Sequence, residues 1–294
     1  MTVLVTGASG LIGSHLCKRL SDEGVTVIGL THNRENPLLS AIHTISCDVQ
    51  SHKVLDSIIG SYRPETVFHF ASHLPHTPNP DFIDVNVNGT VNLLDACYRN
   101  KVKNFIYASS MSVYSTPPVH LPVDENHPTR PSDTYGRTKL IGELLCNCYC
   151  GVMRVISVRF SSVFGVGDES RVVSRFMQSA LAGKPIEVDG DGSQSSDFIH
   201  VDDAVEGTLL ALDKGVSGEV YNIGSGQETS ILELATLISD MYDPSASINS
   251  TNKPATRPFR FVADINRARR ELGYTPSLMI DGLKKYREEL DDKE

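Results

Sequence analysis

The 294-residue chain has no apolar run near the roughly 18 residues that a membrane-spanning helix needs. Its first residues, MTVLVTGASG, hold neither a basic segment nor a following apolar stretch, so they read as a strand rather than a secretory leader. Positive charge is in deficit. With 27 Lys and Arg against 36 Asp and Glu, the net charge of −9 argues against nucleic acid or an anionic membrane as the main partner. Any phosphate-bearing ligand must then be met by local arginines or backbone amides. Repeats and low-complexity tracts are also missing. The 6 cysteines include a C-x-C-x-C run at 146, 148 and 150. On a helix, thiols two residues apart point about 200° away from each other, no histidine cluster lies beside them, and zinc sites favour wider pairs. The cysteines therefore imply no metal and fit a reducing, cytoplasmic setting.

What is present is a rhythm of short apolar runs and helical stretches. Strands are expected at 2–5, 25–30, 42–47, 66–71, 104–109 and 154–160, with helices near 12–23, 51–61, 81–99 and 135–149. Strands alternating with helical crossovers predict an α/β fold with a parallel, doubly wound sheet. Beyond residue 165 the rhythm loosens, and stretches such as DGDGSQSSD interrupt shorter apolar elements. The expected division is 1–165 for the first domain and 166–294 for a smaller lobe interleaved with it.

Three motifs carry chemistry. Gly7-Ala8-Ser9-Gly10-Leu11-Ile12-Gly13 follows a strand and opens a helix. Glycines there let a backbone approach a pyrophosphate, which rests on the helix N-terminus. Tyr135-Gly136-Arg137-Thr138-Lys139 places a phenol and an ammonium on one helical face at i and i+4. A free phenol titrates near pH 10, and an adjacent cation favours its anion. Ser109-Ser110-Met111-Ser112 ends a strand at the edge where such sheets bind ligands.

In this order and spacing, the motifs resemble the short-chain dehydrogenase/reductase family, and within it the extended epimerase/dehydratase group that modifies nucleotide sugars. The resemblance covers nearly the whole chain and implies a Rossmann-type cofactor domain with a sugar-binding lobe. It gives Tyr135 the proton transfer, Lys139 the nicotinamide ribose, and Ser110, aided by Ser112, the reacting oxygen. Beside the glycine turn with Ser9, Leu11 and Ile12, it assigns Thr31, Asp48, Val49, Phe70, Ala71, Ser72, Asn86 and Ser109 to the cofactor. It assigns His73 and Ser162 to the substrate. DFIHVDD (197–203), Asn222-Ile223-Gly224 and ADINRARRELGYTP resemble the group's second half. A nucleotide-sugar partner and a homodimer are implied. The dimer would form through the helices bearing Val85, Leu93, Leu94 and Leu140, Leu144, Leu145.

The departures refine this. Where an acid is expected to hold the adenosine ribose, the chain has Thr31-His32-Asn33-Arg34. No carboxylate repels a 2′-phosphate and Arg34 can pair with one, which favours NADP(H) over NAD(H). Met111 and Ser112 stand where the group's 4,6-dehydratases carry an Asp-Glu pair, and neither serves as the acid or base of an elimination. His73, His76, His120 and His127 lie in loops near the site. The arginine that commonly precedes Asp-Phe is replaced by Ser195-Ser196, leaving Arg171, Arg175 and Arg257 as candidates for the diphosphate. The reading favoured is an NADPH-dependent reductase of a nucleotide-linked 4-keto sugar. An NAD-dependent 4-epimerase shares every catalytic residue with it. A non-catalytic dinucleotide-binding regulator and a reductase of a non-sugar carbonyl are the other readings.

Overall fold

A computed structural model describes residues 1–32, 35–75, 77, 81–168, 171–242, 247–251, 253–255 and 259–291. Six strands come from the first half: β1 (Thr2–Thr6), β2 (Thr26–Thr31), β3 (His43–Ser46), β4 (Thr66–His69), β5 (Asn104–Ser110) and β6 (Arg154–Phe160). Between them run α1 (Leu11–Asp22), α2 (His52–Tyr62), α3 (Gly89–Arg99) and α4 (Thr134–Asn147). The second half supplies β7 (Ser162–Phe164), α5 (Val172–Leu181), β8 (Ile186–Asp189), β9 (Ser195–Ser196), β10 (Phe198–His200) and α6 (Val201–Lys214). It continues through β11 (Val220–Ile223), β12 (Thr229–Ser230), α7 (Ile231–Tyr242), β13 (Ile248–Thr251) and α8 (Met279–Asp291).

The main sheet has seven strands in the order β11-β6-β5-β4-β1-β2-β3, every pair parallel. This is the Rossmann-type α/β fold expected. Both faces are covered along the central strands β1, β4 and β5, which is why these read as apolar runs rather than alternating, whereas the edge strand β3 is largely exposed. Along β1, Val3 and Val5 pack with Leu16, Leu20 and Ala204, while Leu4 packs on the opposite face with Leu55 and Leu93. Strand β11 places Tyr221 beside Val158, so residues 220–223 complete a sheet begun more than two hundred residues earlier. A separate core around Phe176, Ile186, Leu234 and Leu283 holds the remaining elements of the second half.

Two local expectations change. The helix over 81–99 is not uniform: Phe82–Asn88 winds as a wide π turn before α3 begins. Such turns are rare, and this one carries the buried Asn86 toward the segment after β4. The apolar residues expected at a two-fold interface also sort differently. Leu93 and Leu94 are fully buried in the core, because α3 packs them under the sheet. Val85 faces the cleft described below, and Leu140 and Leu145 are half-buried against the cores. Only Leu144 of the six is exposed, beside Ile141 on α4 and Tyr98 on the neighbouring α3. The C-x-C-x-C run straddles the end of α4, with Cys146 buried on the helix, Cys148 exposed at its C-cap and Cys150 half-buried in the turn beyond. Among the described residues no helix is long and apolar enough to cross a membrane.

Candidate active site

Strand order reverses between β1 and β4, and a cleft of about 900 Å3 opens at the carboxyl ends of these strands. The glycine turn forms its floor. Gly7 adopts φ +65°, and a Cβ there would stand 2.6 Å from the Ala71 nitrogen. A Cβ on Gly13 would stand 2.3 Å from the Gly7 carbonyl oxygen. Neither position tolerates a side chain. The Gly10 amide donates to Gly7 O at 2.9 Å, and Gly10 precedes α1 without any side-chain cap. An uncapped helix start facing a cleft is the donor set a pyrophosphate requires.

The catalytic candidates converge from two elements. The Asp133 side chain accepts from the Gly136 amide at 2.7 Å and starts α4, putting Tyr135 in its first turn. Gly136 lets that turn lie on Ser112, since a Cβ would come within 2.2 Å of the Ser112 carbonyl oxygen. One turn on, Lys139 is buried, donates from Nζ to Ala108 O at 2.8 Å, and lies 5.8 Å from the Tyr135 ring centre. Burial pulls its ammonium down to about 7, against the opposing charge of Glu143. The Ser110 hydroxyl oxygen accepts from the Ser112 amide at 3.1 Å, which leaves its proton available to a ligand. Ser110, Ser112, Tyr135 and Lys139 all line the cleft.

The other expected residues fall into three groups. Ser9, Leu11, Ile12, Thr31, Asp48, Val49, Phe70, Ala71, Ser72, His73, Ser109, Ser162 and Arg171 line the cleft with the glycines. Asn86 and Arg175 are not among the lining residues. Asn86 sits behind the wall, accepting from the His73 amide at 2.8 Å and donating to Thr138 Oγ1 at 3.0 Å, and so ties the His73 segment to α4. Arg175 is exposed on α5. Asn33, Arg34, Arg257 and His76 lie outside the described residues. His127 is buried away from the cleft and takes the Val119 amide at 2.9 Å, with His120 packed on its ring at 4.6 Å.

On the substrate side, the Ser162 and Ser196 hydroxyls bond each other at 2.8 Å. Ser195 instead donates to Glu228, whose carboxylate is clasped by Arg260 at 2.6 Å. Arg171 reaches Asp168 at 3.1 Å and Val163 O at 2.9 Å. An apolar wall of Val163, Phe164, Val172, Val173 and Phe198 closes this side. Of these only Phe198, in DFIHVDD, belongs to a motif; the packing of β7 and α5 reveals the others. Met111 is buried and brings no proton-exchanging group to the cleft.

Known proteins match this arrangement along its length. The model of the NAD dependent epimerase/dehydratase family matches residues 3–224. A UDP-glucose 4-epimerase of Mycolicibacterium smegmatis is 32% identical, with 95% of each chain covered. The solved UDP-glucose 4-epimerase of Thermotoga maritima with UDP-glucose superposes with a TM-score of 0.92 at 27% identity, covering 100% of this chain and 99% of that one. The UDP-glucuronic acid 4-epimerase of Bacillus cereus, in complex with UDP-glucuronic acid and NAD, gives 0.87 at 29% identity, covering 100% of both. With its glycine cradle, its phenol–ammonium pair and these matches, the chain belongs to the NAD dependent epimerase/dehydratase family.

Proposed function

We propose that the chain is an NAD-dependent 4-epimerase of a nucleotide-activated sugar. The observation that carries this is the end-to-end likeness to UDP-sugar 4-epimerases of a cleft whose acid–base set is Tyr135, Lys139 and Ser110. The preference for a 4-keto-sugar reductase over this reading rests on the missing carboxylate after β2 and on Arg34, which lies outside the described residues, whereas the NAD of the Bacillus cereus neighbour supports NAD. The buried Met111 supports leaving dehydration aside.

The Gly7–Gly13 turn and the start of α1 would hold the dinucleotide, whose part when bound is to accept a hydride reversibly. Every proton step falls to the protein. Tyr135, as the anion favoured by the nearby Lys139 charge, takes the proton of the sugar 4-hydroxyl as C4 is oxidised to a ketone. Ser110 donates a hydrogen bond to that oxygen and keeps it beside Tyr135. After the sugar has turned its other face, C4 is reduced again and Tyr135 returns the proton. The apolar wall around Phe164 and Phe198 excludes water from the open ketone. In this reading residues 1–165 form the cofactor domain, whose sheet residues 220–223 complete, and residues 166–294 the smaller interleaved lobe that holds the nucleotide sugar together with Ser162, Val163 and Phe164. The exposed face with Tyr98, Ile141 and Leu144 is the homodimer contact.

The test is to incubate the purified protein with UDP-glucose and NAD and to follow UDP-galactose by NMR, with mass spectrometry of any co-purifying cofactor. Epimer formation without net consumption of cofactor is expected. Stoichiometric NADPH oxidation by a nucleotide-linked 4-keto sugar, with loss of roughly 1.5–3 kcal/mol of NADPH affinity in Arg34→Ala, would restore the reductase.

A further inference from the structure

Helix α4 carries three polar side chains one turn apart: Tyr135, Lys139 and Glu143. The first two line the cleft and the third does not. Glu143 is 4% exposed. One of its carboxylate oxygens accepts from Ser109 Oγ at 2.5 Å and from Arg159 Nε at 2.8 Å; the other accepts from Arg159 Nη2 at 2.7 Å. Arg159, on β6, donates in turn to the Tyr114 hydroxyl at 2.8 Å, and Tyr114 to Asn222 Oδ1 on β11 at 2.6 Å. Strand β5 is thus fastened to α4 at two successive residues, Ala108 by Lys139 and Ser109 by Glu143. The next residue is Ser110.

Stability alone does not call for this arrangement. A buried ion pair replaced by well-packed apolar side chains is often neutral or stabilising, because desolvating two charges offsets their attraction. A carboxylate here has directional bonds that an apolar side chain cannot make. We propose that Glu143 is a positioning residue: clamped by Arg159, it fixes Ser109, and through it Ser110, against the helix that presents Tyr135 and Lys139, and balances the Lys139 ammonium. The inference rests on the reading above for the roles of Tyr135, Lys139 and Ser110.

Tyr135 faces Lys139 from the cleft side and, in the reading above, carries a negative charge only as the phenolate of the reaction; behind the cleft, Glu143 is the carboxylate that acts on the Lys139 ammonium. On the same helix, Cys146 is pushed far up by burial and stays a neutral thiol. On β5, burial likewise keeps the Tyr107 phenol protonated, and on β4 His69 is held down at about 3 and is neutral. Tyr114, facing Arg159, is pushed up to about 12. Arg159, from β6, is positive and pairs with the same carboxylate. Removing the carboxylate charge therefore leaves Lys139 with an unbalanced cation nearby.

The direct measurement is the titration of the Lys139 ammonium by NMR on lysine-labelled protein without substrate. In Glu143→Gln, which keeps an oxygen for Ser109 but loses the charge, the midpoint is expected to fall by at least about one pH unit. The alkaline limb of kcat should move down with it, while KM for the sugar changes less than about twofold. A midpoint unmoved in folded Glu143→Gln overturns the proposal. Should that variant not fold, the double replacement Glu143→Leu/Arg159→Met leaves no unpaired charge. It is expected to keep its Tm while kcat falls at least about tenfold at near-constant KM, since Ser109 is no longer held. Wild-type kcat in the folded double variant likewise overturns it. Absence of epimerisation by the wild type would defeat the functional reading instead, and the NMR titration would still decide the part played by Glu143.

Discussion

The phenol of Tyr107 occupies the space that a side chain on Gly142 would need: a Cβ there would stand 2.0 Å from the hydroxyl oxygen and 2.4 Å from Cζ. Tyr107 is buried on β5 and its ring also lies 5.2 Å from Lys139 Nζ, so this contact sets how closely the catalytic helix approaches the strand.

Gly142→Ala is therefore expected to destabilise the fold, against the ordinary trend. In an open helix the change gains about 1 kcal/mol from propensity. Here the ring cannot move away from a packed core, and overpacking costs about 1–3 kcal/mol or more. Urea unfolding should give a lower midpoint, and displacement of Lys139 from Ala108 O should lower kcat as well. A more stable variant would show that α4 can shift outward at little cost.

Tyr135→Phe removes one oxygen from a half-buried ring and leaves the glycine cradle untouched. Loss of the proton-transfer group should reduce kcat about 10²- to 10⁴-fold with dinucleotide affinity nearly intact. Lys139→Met should lower affinity and rate together, since the ammonium both reaches the cofactor side and favours the phenolate. Turnover near wild type in Tyr135→Phe would remove the phenol from the mechanism.

His69 is buried, with its ring nitrogens 2.7 Å from Thr6 Oγ1 and 2.9 Å from Thr90 Oγ1. Burial first, and the Lys139 charge second, hold it at about 3 against an ordinary 6.5. Between these values the unfolded chain binds a proton that the folded chain refuses. Its contribution is then complete above about pH 6.5 and is lost as pH falls toward 3, by at most ~1.4 kcal/mol per unit. His69→Gln should lower stability at pH 7.5 yet flatten the decline between pH 6.5 and 4. Parallel stability–pH curves for the two proteins would contradict this.

Leu144 is 60% exposed on α4, with Tyr98 at 54% on the adjacent α3. If this face forms the homodimer, Leu144→Glu places a charge in an apolar contact and should shift sedimentation at micromolar concentration from dimer to monomer. Its far-UV spectrum should be unchanged. A wild type that sediments only as monomer ends that proposal.

Local chemistry was legible without the fold. Gly7 is required locally by its positive φ, and Gly13 by the Gly7 carbonyl within the same turn. Tyr135 and Lys139 share a face because a helix repeats every 3.6 residues. Strands buried on both sides announce themselves as apolar runs, so the parallel sheet followed as well. Each of these is a constraint acting over a few residues.

The rest depends on partners far apart in sequence, and only the tertiary structure supplied them. No spacing rule joins Glu143 to Arg159 and Ser109, or sends residues 220–223 back to lie beside β6. Leu93 and Leu94 look like interface residues in a helical stretch, but the sheet above α3 claims them. Asn86 has the composition of a ligand contact, yet a π turn directs it into the wall behind His73. The chain alone therefore determined which local groups can hold a dinucleotide and exchange a proton. Long-range packing decided which side chains face the cleft, because burial is settled by neighbours that sequence proximity does not identify.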